Sequence, residues 1–292
     1  MGKDFQISNE KHSYRIVFND GETPDTLEDF KFNDTDLKED FYEDFYAEVG
    51  SESPLKAVRE FQFGEVVKRL RQIHRANQAE SSFIDIGAAN GDFVEFLRKS
   101  FPQNKVLGVE PCAEKETEYL KKKCIEDVTE NYDFVFLMDV FEHFQDPREK
   151  MQLLHKIVSD EGYICLKVPN KDSLLYRLGK ISRFFLRFMA NKLFWRLYQV
   201  DFPPPHFYYH NKNALLGAMR EHFEPVDIFY LSEVPVSGMM KRLWGLNPIL
   251  KMILLPLVVI YNMATIGRLK DGLVIIGKKK TTLLNPPISK AV

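Results

Sequence analysis

The residues with the clearest chemical promise form one short segment, Asp85-Ile-Gly87-Ala-Ala-Asn-Gly91, with Glu110 standing 19 positions beyond Gly91. The segment ends a short apolar run over 82–87 that reads as a buried strand, and a helix is predicted over 92–99, stopped by Pro102. Glycine at a strand-to-helix turn lets a ligand approach the backbone closely, and the helix N-terminus behind it offers free N–H groups. An acid at the tip of the next strand, over 106–109, can accept two hydrogen bonds from a ribose diol. Two ligand classes fit that geometry. A dinucleotide requires glycine where Ala89 stands so that its pyrophosphate can approach, and it tolerates poorly a carboxylate such as Asp85. S-adenosylmethionine carries no phosphate, and its methionyl ammonium suits an acid at that strand end.

A second group of candidates lies downstream. His143 follows the predicted strand 132–138, at the carboxyl edge where open α/β sheets bind ligands. His206 follows Pro203-Pro-Pro205 and precedes Phe207-Tyr-Tyr-His210. Either can serve as a general base toward a hydroxyl. A helix-capping or cofactor-supporting role for His143, and a loop-anchoring role for His206, fit the sequence as well. Asp139, Glu142 and His143 together can hold a divalent metal, but no further acids cluster beside them, so no metal site is assigned. The three cysteines, Cys112, Cys124 and Cys165, have neither CxxC nor Cys/His ligand spacing. A disulfide framework or structural zinc is therefore not expected, and a reducing compartment fits.

These residues need a frame. Apolar residues at helical spacing from Val58 to Ile73 predict a helix over 55–76. Strands are then predicted over 82–87, 106–109, 132–138 and 162–168, with helices over 92–99, 113–123 and 148–158 between them. Such alternation implies a parallel sheet covered on both faces, and right-handed crossovers make it doubly wound. Further strands are predicted over 226–234 and 272–277, joined by about 37 residues rich in Leu, Ile, Met and Pro, long for a plain connection.

The chain resembles the class I methyltransferases, in particular the group with an Asp-x-x-Glu-His segment after the fourth strand. Phe83-Ile-Asp-Ile-Gly-Ala-Ala-Asn-Gly91 resembles the glycine-rich first motif, and Val106-Leu-Gly-Val-Glu-Pro111 the second. Tyr132-Asp-Phe-Val-Phe-Leu-Met-Asp-Val-Phe-Glu-His143, followed by Asp146-Pro147, resembles the fourth-strand signature, and 162–170 the fifth strand ending in Val-Pro-Asn. The resemblance covers about 61–280. It implies a Rossmann-like, mostly parallel seven-stranded sheet with an antiparallel last strand, and S-adenosyl-L-methionine as cofactor. Gly87, Ala89 and Gly91 would line the methionyl end, Glu110 would hold the ribose, and the Met138 carbonyl would face the amino group, with Asp139 next to it among the cofactor-binding candidates. The third strand of the family is abbreviated here, leaving Ile125 and Glu126 as candidates beside the adenine. Metal held by acids and histidine after the fourth strand is a property of some sugar O-methyltransferases of this kind.

Charge and hydropathy mark the remaining segments. Residues 1–50 hold 14 Asp and Glu against 5 Lys and Arg, whereas 171–200 hold 7 Lys and Arg against one Asp. The acidic part reads as an accessory arm over 1–54, solvated and with short helical pieces between 11 and 49. It begins without an apolar h-region, so no secretory signal is expected. A basic, aromatic helix is predicted over 174–198, with Arg177, Lys180, Arg183 and Arg187 on one face. A second apolar stretch covers 249–266 and contains Lys251, Pro256 and Asn262. Both segments read as lid insertions, about 171–205 and 235–270, into a methyltransferase domain over 55–280, ahead of a C-terminal tail over 281–292. Both also suit an anionic membrane surface, whereas a transmembrane span would interrupt the sheet. The resemblance points to O-methylation of a sugar or lipid-linked glycan, as in bacterial surface-glycan synthesis, with a cytoplasmic location at the inner face of the membrane. A small-molecule O- or N-methyltransferase and a non-catalytic S-adenosylmethionine-binding scaffold are the alternatives. Nucleic acid is not expected as a partner, since no Asn/Asp-Pro-Pro-Tyr motif follows the fourth strand.

Overall fold

The computed structural model describes residues 4–9, 13–29, 54–78, 80–201, 204–233, 235 and 247–281. In chain order the strands are β1 (Asp4–Ser8), β2 (Ser13–Val17), β3 (Asp25–Glu28), β4 (Ser82–Ile86), β5 (Lys105–Val109), β6 (Leu120–Lys121), β7 (Tyr132–Met138), β8 (Val158–Pro169), β9 (Tyr208–Tyr209), β10 (Phe223–Leu231) and β11 (Gly272–Lys279). The α-helices are α1 (Pro54–Leu70), α2 (Asp92–Ser100), α3 (Pro147–Ile157), α4 (Leu174–Ser182), α5 (Arg187–Leu197), α6 (Lys212–Met219) and α7 (Pro248–Ala264).

Seven strands form the main sheet in the order β10-β11-β8-β7-β4-β5-β6. Strands β8, β7, β4, β5 and β6 run parallel, and β11 lies antiparallel between β8 and β10. This is the Rossmann-like arrangement expected from the sequence. Side chains alternate across it as a two-residue period demands. On one face Phe83, Phe134 and Phe136 pack against Phe63, Phe93 and Leu97 of α1 and α2. On the other, Ile84, Val135 and Leu137 meet Leu154 of α3 and Leu215 of α6. Each fully buried Phe contributes about 1.5–3 kcal/mol, so the doubly covered sheet is a rigid platform. Its carboxyl edge carries the candidate residues.

Three local readings are corrected. No helix forms over 113–123. There Thr117 Oγ1 accepts from the Leu120 N–H and a Glu116 oxygen from the Lys122 N–H. Side chains that bond the backbone locally compete with helix formation, and the segment turns into the two-residue strand β6. The helix over 174–198 is two helices. Ser182 Oγ donates to the Gly179 carbonyl (2.9 Å) and the chain turns through 183–186. A Cβ on Gly179 would stand 3.1 Å from Phe194 Cζ, so glycine lets α5 fold back onto α4.

The third correction concerns the N-terminal segment. Within 11–49, residues 13–17 and 25–28 are strands rather than helical pieces, and residues 30–53 lie outside the described residues. Strands β1, β2, β3 and β9 make a second, four-stranded sheet. Its inner side chains Phe5, Ile7, Ile16, Phe18 and Leu27 pack on Tyr176 and Phe194 of α4 and α5. Buried Asp25 anchors the join: it accepts from Tyr176 Oη (2.9 Å) and faces Lys171 and Lys180, each at 3.3 Å.

Candidate active site

The glycine loop sits where β4 meets α2. Its backbone is shaped by three positive φ angles, at Gly87 (71°), Ala89 (50°) and Gly91 (83°). A Cβ on Gly87 would lie 2.6 Å from Val140 Cγ2, so only glycine fits there. Glu110, at the end of β5 and buried, accepts from the N–H of Ala89 (3.0 Å) and of Cys112 (3.1 Å). Burial raises its carboxyl above the ordinary range, although those two hydrogen bonds oppose the shift. Asp85 is buried beside it, and its Oδ1 has no partner among the described residues. Burial, and then the Glu110 charge, hold the Asp85 carboxyl well above the usual range. An orphaned, buried carboxyl oxygen next to a cradle closed to any Cβ fits a ligand carrying an ammonium group.

The structure brings Asp85, Gly87, Ala89, Gly91 and Glu110 together at adjoining strand ends. Ile125 is buried on the short 3₁₀ turn Ile125–Asp127 after β6, where the sequence placed an abbreviated third strand. Glu126, next to it, is exposed and held by Lys150, which offsets the effect of burial and lowers its carboxyl. Met138 ends β7 and is half-buried. Asp139 follows in the left-handed region (φ 60°) and pairs with Lys167.

Lys167 is a residue that sequence reasoning missed. It lies on β8 with only 1% of its side chain exposed, between Asp139 and Glu233 (2.8 Å). Burial acts against its charge, but these two carboxylates more than offset it and raise its pKa. The available signal was a single lysine inside the otherwise apolar run Tyr163-Ile-Cys-Leu-Lys-Val168.

Beyond β7, a 3₁₀ turn Phe141–His143 presents Glu142 and His143. The loop ahead of β9 delivers His206 to them, with the two imidazole centroids 4.7 Å apart. That loop is fixed from three sides: the His206 N–H donates to the Tyr198 carbonyl, the Phe207 N–H to the Glu142 carbonyl, and the Leu27 N–H to the Phe207 carbonyl, each at 2.9 Å. His143 Nδ1 lies 2.8 Å from the Pro204 carbonyl and 3.1 Å from that of Pro205. Two acceptors there require Nδ1 to carry the proton, which leaves Nε2 with its lone pair. Burial lowers the pKa of His143. It lowers that of His206 far more, with the neighbouring His143 adding to the effect. Both rings are therefore neutral at pH 7. Glu142 is fully buried, and burial, then Asp139, raise its carboxyl well above the usual range.

A cavity of about 600 Å³ opens over this cluster. Asp139, Glu142, His206 and Glu233 form its floor, Leu197 of α5 one wall, and Leu254, Val258 and Tyr261 of α7 another. Asp271 is engaged by the Tyr261 hydroxyl.

Comparison with known proteins gives the class. A family model described as a methyltransferase domain matches residues 58–224, more than half of the chain. Among solved structures, magnesium protoporphyrin IX methyltransferase from Synechocystis PCC 6803 with bound S-adenosylhomocysteine aligns with a TM-score of 0.50 at 13% identity, covering 85% of this chain and 96% of that one. An S-adenosylmethionine-dependent methyltransferase from Archaeoglobus fulgidus aligns at 21% identity with a TM-score of 0.45, over 74% of this chain and 94% of that one. The N-methyltransferase NodS from Bradyrhizobium japonicum WM9, in complex with S-adenosylhomocysteine, gives 13% identity and 0.44, over 82% and 99%. No curated protein matches.

Proposed function

Since this chain belongs to the methyltransferase family and uses S-adenosylmethionine, we propose that its acceptor is a hydroxyl of a sugar or lipid-linked glycan, methylated in the cavity over Glu142, His143 and His206. The observation that carries this reading is the pair of neutral imidazoles beside the carboxyl edge, one with its Nδ1 proton committed to prolyl carbonyls. A hydroxyl needs to lose a proton as it attacks, and a positioned imidazole lone pair can take it. The cofactor supplies a methyl group on a sulfonium. Asp85 holds the ammonium end, Glu110 the ribose, and Ile125, Glu126, Met138 and Asp139 the flanks of the same pocket.

The cavity contains four carboxyls, which favours an amine as a second reading of the acceptor. Three are already engaged, Asp139 and Glu233 by Lys167 and Asp271 by Tyr261, and that restores the hydroxyl as the better fit. The lids over 171–205 and 235–270 carry exposed apolar side chains around the cavity, which supports a lipid-linked acceptor met at the inner face of a membrane in the cytoplasm. Among the described residues no helix is long and apolar enough to cross a membrane.

The test is transfer of labelled methyl from S-adenosylmethionine to a panel of free sugars, polyprenyl-linked sugars and amines. A methyl ether should form, and His143→Ala and His206→Ala should each lower turnover by about 10² with cofactor affinity unchanged. Label found only on nitrogen would replace this reading with the amine.

A further inference from the structure

Glu142, His143 and His206 each direct one ligand atom into a common space, and those three atoms lie within 4.8 Å of one another. The sequence grouped Asp139 with Glu142 and His143. The structure removes Asp139, which pairs with Lys167, and supplies His206 from a loop 63 positions on.

Two observations say that something belongs between them. First, Glu142 has no exposed surface, and neither of its carboxyl oxygens has a hydrogen-bond partner among the described residues. His206 Nε2 faces one of those oxygens at 3.9 Å, beyond hydrogen-bond reach. Buried carboxyls are normally paired or bound to metal, because an orphan forfeits its hydration with nothing in return. Second, His143 gives its Nδ1 proton to backbone carbonyls and turns Nε2 outward. That fixing of tautomer and ring plane through the far nitrogen is how metal-ligating histidines are held.

We propose that Glu142, His143 and His206 bind a divalent cation that accepts mixed nitrogen and oxygen ligands, Zn²⁺ or Mn²⁺, whose open positions face the cavity and take the acceptor's hydroxyl oxygen. Two imidazoles and one carboxylate are a ligand set such cations accept, with sites left free for substrate. Cation–ligand bonds of about 2.0–2.2 Å require each atom to move inward by less than about 1 Å. The inference rests on the hydroxyl reading for its catalytic part, not for the binding itself. With the cation present both lone pairs are committed to it, and the charge lowers the pKa of the coordinated hydroxyl. The O–H bond then breaks with its proton leaving to water in the cavity, and an oxygen lone pair forms the O–CH₃ bond. The C–S electron pair stays on sulfur, and the cation is neither oxidised nor reduced.

Chelator-treated protein titrated with Zn²⁺ and with Mn²⁺ by calorimetry should bind one equivalent of cation. Co²⁺ should give a visible spectrum of nitrogen and oxygen coordination. Glu142→Gln and His206→Ala should weaken binding by more than the 10–100-fold that outer-shell changes produce, while S-adenosylmethionine still binds and so reports an intact fold. His155→Ala is the control. That ring pairs with His222 at 5.1 Å and is not among the three grouped ligands, so its variant should bind as wild type does. The proposal is overturned if wild-type protein shows no saturable one-equivalent binding, or if binding survives both Glu142→Gln and His206→Ala. Binding as expected with no hydroxyl methylated leaves the cation site and removes the proposed acceptor. Absent binding, chelator-insensitive turnover and inactive histidine variants leave the imidazole base and remove the cation.

Discussion

Glu110 holds the glycine loop in shape before it holds any ligand, because one of its oxygens already accepts the Ala89 N–H. Glu110→Ala should therefore weaken S-adenosylmethionine binding by about 1.5–3 kcal/mol, the cost of losing hydrogen bonds to a charged acceptor. Unchanged affinity in calorimetry would take Glu110 out of the site. His210 offers a residue-scale test of a different kind. Burial, helped by the Lys171 charge, pushes its pKa down to about 3 from an ordinary 6.5. The unfolded chain takes up a proton near pH 6.5 that the native chain refuses. The stability contributed by keeping this ring neutral is thus complete above pH 6.5 and is lost as pH falls toward 3. Wild type should lose about 1.4 kcal/mol relative to His210→Gln between about pH 7.5 and about pH 5.5. Urea denaturation of both proteins at the two pH values measures this, and all other ionisable groups cancel in the difference. A constant difference would show that the ring titrates normally. At this scale the glycine loop and the acid that braces it were legible, because a loop that needs glycine and an acid at fixed spacing are local facts. The meeting of His206 with Glu142 was not, since it depends on where a loop 63 positions away is pinned.

The elements that pin it include the N-terminal strands. β3 pairs with β9, and Tyr209 of β9 stands three positions from His206, so the small sheet sets the height of the histidine loop. The sequence of 13–28 is acidic and short in apolar residues, and alone it does not distinguish an extended strand from a solvated arm. Its strands exist because Phe5, Ile16, Phe18 and Leu27 find α4 and α5, a tertiary partner that periodicity within the segment does not reveal. The main sheet was legible for the opposite reason, since long apolar runs such as 132–138 bury on both faces and need no special partner. Asp25 ties the two parts together. Asp25→Ala would leave Lys171 buried without its counter-charge, a loss of about 3–5 kcal/mol. Urea denaturation should show that loss, and methyl transfer should fall while cofactor affinity holds, because the glycine loop lies on the other sheet. If stability drops and transfer does not, the small sheet supports the fold without positioning His206.

For the molecule as a whole, the sequence placed Arg177, Lys180, Arg183 and Arg187 together as a face for anionic lipid. The structure uses most of that face internally: Arg177 pairs with Asp172, Lys180 with Asp25, and Arg183 lies over Phe18. What remains outside is apolar. Phe185 is 82% exposed, Phe188 70%, Met252 77% and Ile266 74%, on or next to α5 and α7, which also contribute walls to the cavity. If the proposed reading of this cavity holds, exposed apolar side chains of that extent beside it favour contact with a membrane. Exposed Arg187, Lys192 and Arg268 lie beside it and suit anionic head groups. Each Phe that passes from water into lipid contributes about 1.5–3 kcal/mol, against about 1 kcal/mol for each nearby cation, and salt screens only the latter. Vesicle sedimentation should accordingly show binding that is stronger on anionic lipid and weaker, but not abolished, at high salt. Phe185→Ser combined with Phe188→Ser should reduce it by more than Arg177→Gln combined with Lys180→Gln. Binding that vanishes entirely with salt would return the interaction to the cations. Wild-type protein that ignores anionic vesicles at low salt would make both lids covers for a soluble acceptor, and the lipid-linked substrate would fall with them.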